Sequence, residues 1–357
     1  MCGIAGIFAH SPAAGGVDQA ELLRIRDQMA SRGPDGPGAW RSQDGRVGLA
    51  HQRLSIIDLS EGGAQPKLSA DGALAITYNG EIYNFPALRA ELEAEGVEFR
   101  SDSDTEALLH LYARDGAAMV QRIRGMYAFA IWDQRRRGLL LARDPYGIKP
   151  LYVASDGWTV RFASQVKALL ASNRVSRDPE PAGVVGFHLY GAVPEPFTLY
   201  RDIRSLPAGH TQWIDAAGPR EPRPYVNLAA LLAEGARHPA PVAETEGRVR
   251  AAVLDSVQAH MLADVEVGAF LSAGVDSGAL LGLMRDAGQR DVQAITLGFE
   301  QFRGTAEDEV PLAAEVAARY GARHRVRWVG EPEFKADLPA ILEAMDQPSI
   351  DGVNTWF

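Results

Sequence analysis

The sequence predicts two domains of different class: an α+β unit of packed antiparallel sheets flanked by helices, followed by an α/β unit built on a parallel sheet. Three observations predict this. Residues 1 to about 210 are dense in short apolar runs punctuated by Gly, Asn and Asp, with few helical stretches between them. The stretch 215–245 turns rich in Ala, Pro and Gly, as a linker does. Beyond it, helical and strand patterns alternate, the signature of a parallel sheet with crossover helices.

Taken in order, "GIAGIF", "RVGLAH", "ALAITYNG", "MYAFAIWD", "GLLLARD", "PLYVAS" and "TVRFAS" read as strands. Between them "AELLRIRDQM" places Leu22, Ile25 and Met29 on one helical face. "FPALRAELEAEG" sets Leu88 and Leu92 one turn apart and stops at Gly96, and "TEALLHLYARDG" repeats the pattern. After the linker come a helix from Thr245 to Met261, the strand "VEVGAFLS", the helix "SGALLGLMRDAG", the strand "VQAITLGF", the helix "EVPLAAEVAARYG", the strand "HRVRWV" and the helix "FKADLPAILEAM". The expected division is 1–210 for the first domain, 211–244 for the linker and 245–357 for the second, which offers only three clear strands.

With 357 residues, 46% hydrophobic and 23% charged, the chain suits two domains with cores of their own. The net charge of −10 repels nucleic acid and anionic membrane. The basic run Arg135 to Arg137 lies between two apolar runs and reads as a solvated hairpin turn. A single cysteine excludes an internal disulfide and fits a reducing compartment. No run approaches the roughly 18 apolar residues of a membrane span. The reading is of a cytoplasmic protein.

The single cysteine is Cys2, one residue from the start. A lone cysteine is usually a small buried hydrophobe. Its position gives it a second reading, because removal of Met1 would place a thiol and a free α-amine on one residue. An α-amine has a reference pKa of about 7.7 to 8.0 and serves as a base near neutrality. A thiol with its own base is an activated nucleophile. Acyl transfer also needs donors aimed at a developing oxyanion, and "YNGEIYN" offers the Asn79 amide and the unobstructed Gly80 N–H. In isolation "NG" after an apolar run is a hairpin turn. Arg53 suits a carboxylate and Asp104 an ammonium group, although the plainer readings are a surface charge and a helix cap. Together the four describe a pocket for a free α-amino acid whose side-chain carbonyl reaches the thiol.

The ordered motifs "MCGIAGIF", "RGPDG", "RLSIID", "YNGEIYN", "SDTE", "GMYAFAIWD", "RDPYGIKPLY" and "FASQVKAL" closely resemble the glutaminase domain of class II glutamine amidotransferases, in particular that of glutamine-hydrolysing asparagine synthetases. The resemblance implies an N-terminal-nucleophile hydrolase fold, an α/β/β/α sandwich. It also implies roles: Cys2 as nucleophile, Asn79 and Gly80 as oxyanion hole, and Arg53, Glu81 and Asp104 holding glutamine, with Leu54, Ser55, Ile56 and Ile57 lining the site. Ser31 stands where the family often has His before "RGPD".

In "VEVGAFLSAGVDSGALLGLM" a small-residue loop joins a strand to a helix, with Ser272 and Ser277 on either side. Backbone N–H groups at a helix start bind anions, and Asp276 could hold Mg²⁺ against phosphates; the plainer reading is an N-capped turn. The stretch resembles the "SGGxDS" pyrophosphate loop of the ATP pyrophosphatase domain that follows the glutaminase in this family, with Ala273 replacing a glycine and Gly278 a serine. The resemblance implies ATP contacts at Leu271, Ser272, Gly274, Asp276, Ser277 and Leu297. The chain ends before the family's later "SGEGxDE"-type motif, so the second domain is expected to be incomplete and the chain a C-terminally truncated member.

What the resemblance implies is glutamine-dependent asparagine synthesis, with glutamine, ATP and aspartate as substrates, Mg²⁺ as the accompanying ion and no prosthetic group. It leaves room for a homodimer. A different carboxylate acceptor, as in polysaccharide-cluster amidotransferases or β-lactam synthetases, is the alternative within catalysis. A glutamine sensor or scaffold is the alternative outside it.

Overall fold

The computed structural model describes residues 1–350 and 356. The end of the tail "DGVNTWF", read as leading towards the later family motif, lies outside the described residues except for Trp356. The chain divides into two compact units, Met1–Gly235 with Asp346–Pro348, and Ala236–Met345 with residues from Ser349 onward.

The elements of the first unit follow the apolar runs closely. In chain order they are β1 (Gly3–Phe8), α1 (Gln19–Asp27), β2 (Gly36–Arg41), β3 (Val47–Arg53), β4 (Lys67–Leu68), β5 (Leu74–Ile82), α2 (Phe85–Ala94), α3 (Asp104–Asp115), β6 (Gly125–Asp133), β7 (Gly138–Arg143), β8 (Tyr152–Ser155), β9 (Val160–Ala163), α4 (Val166–Leu170), α5 (Pro181–Tyr190), β10 (Ile203–Ser205), β11 (His210–Asp215), β12 (Gly218–Pro219), β13 (Arg223–Pro224) and α6 (Leu228–Arg237).

Two antiparallel sheets result. One runs β10-β8-β9-β1-β3-β2, and the other runs β12-β11-β7-β6-β5-β4 with β13 also paired to β11. Their facing sides share one core: Ile4, Phe8, Leu49 and Phe162 from the first meet Ala128, Trp132, Leu139 and Leu141 from the second. The outer side of the first sheet, with Ala5, Ile7 and Ala163, is covered by Leu22, Ile25 and Met29 of α1 and by Val166 and Leu169 of α4. Strands β1 and β7 are therefore buried along their whole length, which explains why they read as continuous apolar runs. The edge strand β2 alternates in burial. The expected sandwich of helical layers around two sheets is the architecture found.

Two buried hydrogen bonds join the sheets near the site. Thr77 Oγ1 donates to the Ala50 carbonyl at 3.0 Å, and His51 Nε2 donates to the Tyr78 carbonyl at 3.0 Å. They tie β3 to β5 directly under the residues that matter below.

The stretch expected to be a linker is more structured than its composition suggests. β12 and β13 pair with β11 and extend the second sheet beyond residue 210, and α6 follows. Prolines tolerated at a sheet edge explain the misreading, because Pro219 and Pro224 sit in strands of two residues each.

The second unit holds α7 (Val242–His260), β14 (Gly268–Phe270), α8 (Val275–Asp286), β15 (Gln293–Phe299), α9 (Val310–Tyr320), β16 (Arg323–Val329) and α10 (Glu331–Ala344). The helix expected from Thr245 starts at Val242. The three strands form a parallel sheet in the order β14-β15-β16, as the alternation predicts. Its core joins Leu271, Leu281, Met284, Ala294, Ala313 and Ala317. Among the described residues no helix is long and apolar enough to cross a membrane.

Candidate active site

A cavity of about 300 Å³ in the first unit is lined by Met1, Cys2, Arg53, Leu54, Ile56, Ile57, Asn79, Gly80, Glu81 and Asp104, among others. The two sheets create it: the thiol of Cys2 enters immediately before β1 on one side, and β5 carries Asn79 to Glu81 in on the other. Of the residues expected at the site, only Ser55 does not line it. Its N–H donates to Asp35 Oδ2 at 2.8 Å, which draws the residue towards the "RGPDG" loop instead.

The Cys2 thiol is engaged on both sides by one residue, accepting from Leu54 N–H at 3.3 Å and donating to the Leu54 carbonyl at 3.5 Å. Burial pushes its pKa up, against the Leu54 N–H, the terminal amine and Lys149, which draw it down. Burial lowers the pKa of the terminal amine, here that of Met1, and Arg32 and Lys149 lower it further. The thiol and the amine thus both favour their neutral forms, the state from which an amine can take a proton.

Asn79 and Gly80 are not in a hairpin turn. They lie inside β5, paired with Ala128 and Tyr127 of β6. Asn79 is 1% exposed, and among the described residues its buried Nδ2 has no hydrogen-bond partner. Such an orphan donor is costly, and here it belongs to a side chain that lines the cavity holding the thiol. At Gly80 a Cβ would fall 2.3 Å from the Met126 carbonyl, so only glycine allows β5 and β6 this approach.

Asp104 is not the cap of α3; Ser103 is, accepting from Thr105 N–H. Asp104 Oδ2 accepts instead from the Tyr78 hydroxyl at 2.8 Å and from Ile82 N–H at 3.1 Å. Burial pushes its pKa up to about 6, with the nearby Glu81 charge adding to the rise. An arriving ammonium group would relieve that cost.

Arg53 is held by the loop after it. Its guanidinium donates to the Ser60 carbonyl at 2.8 Å and to the Asp58 carbonyl. Gly63 makes the room, since a Cβ there would lie 1.9 Å from Arg53 Nη2.

Three further residues escaped the sequence reading. Arg32 Nε donates to the Cys2 carbonyl at 3.1 Å and anchors the backbone of the thiol-bearing residue. Gln65 accepts from Tyr78 N–H at 2.7 Å and donates to the Tyr78 carbonyl at 3.2 Å, fixing the strand beside Asn79. Lys149, only 5% exposed, brings an ammonium group to the cavity. Its loop is pinned by Asp144, which accepts from the N–H groups of Tyr146, Ile148 and Lys149, and by Arg143 Nε on the Lys149 carbonyl. Arg32 and Lys149 lie in the quoted motifs "RGPDG" and "RDPYGIKPLY", but the spacing of those motifs does not reveal that they converge on Cys2.

Residues 1–226 match the glutamine amidotransferase domain family, and residues 248–356 match the asparagine synthase family. The chain belongs to the glutamine-hydrolysing asparagine synthetase family. Over 98% of its length it is 37% identical to glutamine-hydrolyzing asparagine synthetase 1 of Bacillus subtilis, and it covers 54% of that protein. It is 30% identical to the putative glutamine-hydrolyzing asparagine synthetase 2 of Methanocaldococcus jannaschii, covering 98% of this chain and 69% of the relative. The chain spans about half the length of the Bacillus relative. Among solved structures, the glutamine phosphoribosylpyrophosphate amidotransferase from B. subtilis matches at 17% identity and a TM-score of 0.46, over 98% of this chain and 72% of that one.

The second expected site of this asparagine synthetase family member lies where β14 passes into α8. Ser272 and Ser277 are hydrogen-bonded to each other at 3.0 Å, and Ser277 Oγ accepts from Ser272 N–H at 3.1 Å. Gly274, at φ −72°, is the N-cap of α8. Ala273 is not among the residues of positive φ, so its methyl group imposes no backbone strain in place of the family's glycine. A cavity of about 550 Å³ beside this loop is lined by Leu271, Ser272, Leu297, Phe299 and Phe302, among others. Gly274, Asp276 and Ser277 do not line that cavity; they sit at the helix start next to it, with Asp276 exposed in the first turn. Among the described residues no group of three His, Cys, Asp or Glu side chains could hold a metal ion.

Proposed function

We propose that the first unit hydrolyses the side-chain amide of glutamine, and that the ammonia released amidates an ATP-activated carboxylate, that of aspartate, in the whole protein. The observation that carries the reading is the orphaned Nδ2 of Asn79, a residue that lines the same cavity as Cys2, with Arg53 and Asp104 available for the two charges of a free amino acid.

The steps follow from the groups present. Loss of Met1 frees the Cys2 α-amine, a base near neutrality, beside its own thiol. The amine takes the thiol proton as sulfur attacks the amide carbon. Asn79 Nδ2 and Gly80 N–H meet the oxyanion, and the amine returns the proton to the leaving nitrogen, which departs as ammonia. Water then attacks the thioester with the amine as base and releases glutamate.

In the second unit the N–H groups at the start of α8 and the Ser272 and Ser277 hydroxyls are suited to the phosphates of ATP. Leu271 and Leu297 offer apolar contacts for its base. Asp276 supplies a single carboxylate, so Mg²⁺ there would be held chiefly by phosphate oxygens. Transfer of AMP to the aspartate side chain, with departure of pyrophosphate, and attack by ammonia give asparagine and AMP.

The decisive experiment measures glutamate and ammonia release from glutamine by the chain and by Cys2→Ala, with mass spectrometry of the amino terminus. Release that is abolished in Cys2→Ala, in protein lacking Met1, is the expected result. Active protein that retains Met1 would overturn the proton assignment.

A further inference from the structure

The two charged grips at the cavity are fastened to each other behind it. Arg53 is held by the carbonyls of Asp58 and Ser60, within the segment 58–63. Asp104 begins α3, at the end of the segment 100–104. These segments are far apart in sequence; two side chains join them, and a third braces the second segment. Asp58 Oδ2 accepts from Asp102 N–H at 3.2 Å, while its Oδ1 accepts from Ser60 N–H at 3.1 Å and from the Ser60 hydroxyl. Lys67 Nζ donates to the Gly62 carbonyl in the first segment and to Ser101 Oγ, at 2.8 Å, in the second. Glu106 closes the network, accepting from the Ser101 hydroxyl at 2.5 Å and from Arg100 N–H at 2.9 Å. The packing is tight as well: a Cβ on Gly62 would lie 2.9 Å from Asp58 Oδ2 and 3.2 Å from Ser101 Cβ.

We propose that Asp58, Lys67 and Glu106 are positioning residues that fix the separation of Arg53 from Asp104, and so make the cavity selective for a substrate carrying an α-carboxylate and an α-ammonium group together. The inference rests on the reading of the cavity as a glutamine site. Each grip alone can contact one charge. A zwitterion must satisfy both at a fixed span, and that span is set by bonds that never touch the substrate. Preorganisation of this kind lowers the cost of ordering two groups at once. It acts on molecules with both charges and leaves molecules with one charge nearly unaffected.

The test measures binding in full-length chain carrying Cys2→Ala, so that no turnover is needed, by calorimetry. The probes are glutamine, 4-carbamoylbutanoate, which lacks the ammonium group, and 4-aminobutanamide, which lacks the carboxylate. Adding Asp58→Ala or Lys67→Met should weaken glutamine binding about tenfold, the loss of roughly one charged hydrogen bond, while each one-charge amide changes by less than about threefold. Combining the two substitutions should cost little more than either alone. Lys67→Arg, which keeps the donor and charge, should restore most of the affinity. Thermal unfolding of each variant confirms that it is folded.

Glutamine affinity unmoved by either substitution, equal weakening of all three probes, or no glutamine binding to the parent would each overturn the proposal. Failure of the hydrolytic reading shows elsewhere, as absence of ammonia release from the chain with Cys2 intact.

Discussion

The Tyr78 hydroxyl donates to Asp104 Oδ2 across 2.8 Å, and Tyr78 is the residue immediately before Asn79 on β5. The carboxylate proposed to meet an ammonium group is therefore buttressed by the strand that carries the proposed oxyanion donor, so on that proposal substrate recognition and chemistry share one element. Loss of that donor should show in both pH dependence and affinity. Tyr78→Phe removes a hydrogen bond to the charged form of Asp104, whose pKa of about 6 would rise further. The acid limb of kcat/KM for glutamine should move to higher pH, with kcat/KM down about tenfold at pH 7, the scale of one charged hydrogen bond. A pH series of initial rates checks this.

The second expectation concerns the oxyanion. Among the described residues Asn79 Nδ2 has no partner, so on this proposal its hydrogen bond would be made only with the reacting amide. Asn79→Ala should lower kcat by about 10²- to 10³-fold with little change in KM. A rise in KM at constant kcat would show that the amide binds substrate instead.

Lys149 draws down the pKa of both the thiol and the terminal amine. In Lys149→Met both should rise. The rate of Cys2 alkylation by iodoacetamide should then follow a curve displaced to higher pH, as removal of a nearby cation requires. With one cysteine in the chain, the label reports on a single group.

His51 tests the seam between the sheets. Burial lowers its pKa to about 4 from an ordinary 6.5, and its Nε2 donates to the Tyr78 carbonyl. Folding favours the neutral ring, so its contribution is fully present above pH 6.5 and is lost as pH falls towards 4. Two and a half units correspond to about 3 kcal/mol. Asp104, raised to about 6, has the opposite sign, stabilising below about 3.8 and losing that contribution as pH rises through 6. Urea unfolding from pH 7 to 4.5 should therefore show a steeper fall for the parent than for His51→Asn, in which the donor remains and the titration is gone.

The apolar runs located nearly every strand because burial on both faces leaves a continuous apolar signature, as in β1 and β7. They failed at β12 and β13, where two residues and a proline carry no period to detect. Residues named by the motifs gather in the fold: Cys2, Arg53, Asn79, Gly80, Glu81 and Asp104 all line one cavity. Ser55 was misplaced because a backbone bond to Asp35, not its side chain, governs that segment.

From sequence alone came the two fold classes, the thiol one residue from the chain start and the residue types suited to amide chemistry, since periodicity and short motifs are local properties of the chain. The tertiary structure decided what those residues face. It set Asn79 in a strand with its donor unpaired, turned Arg53 back onto its own loop and brought Arg32 and Lys149 to Cys2. The physical reason is separation along the chain. The groups that tune the thiol and the terminal amine come from residues 32, 54 and 149, among others, and no periodicity of 2 or 3.6 residues relates them. Only the packing of two sheets against each other makes them neighbours.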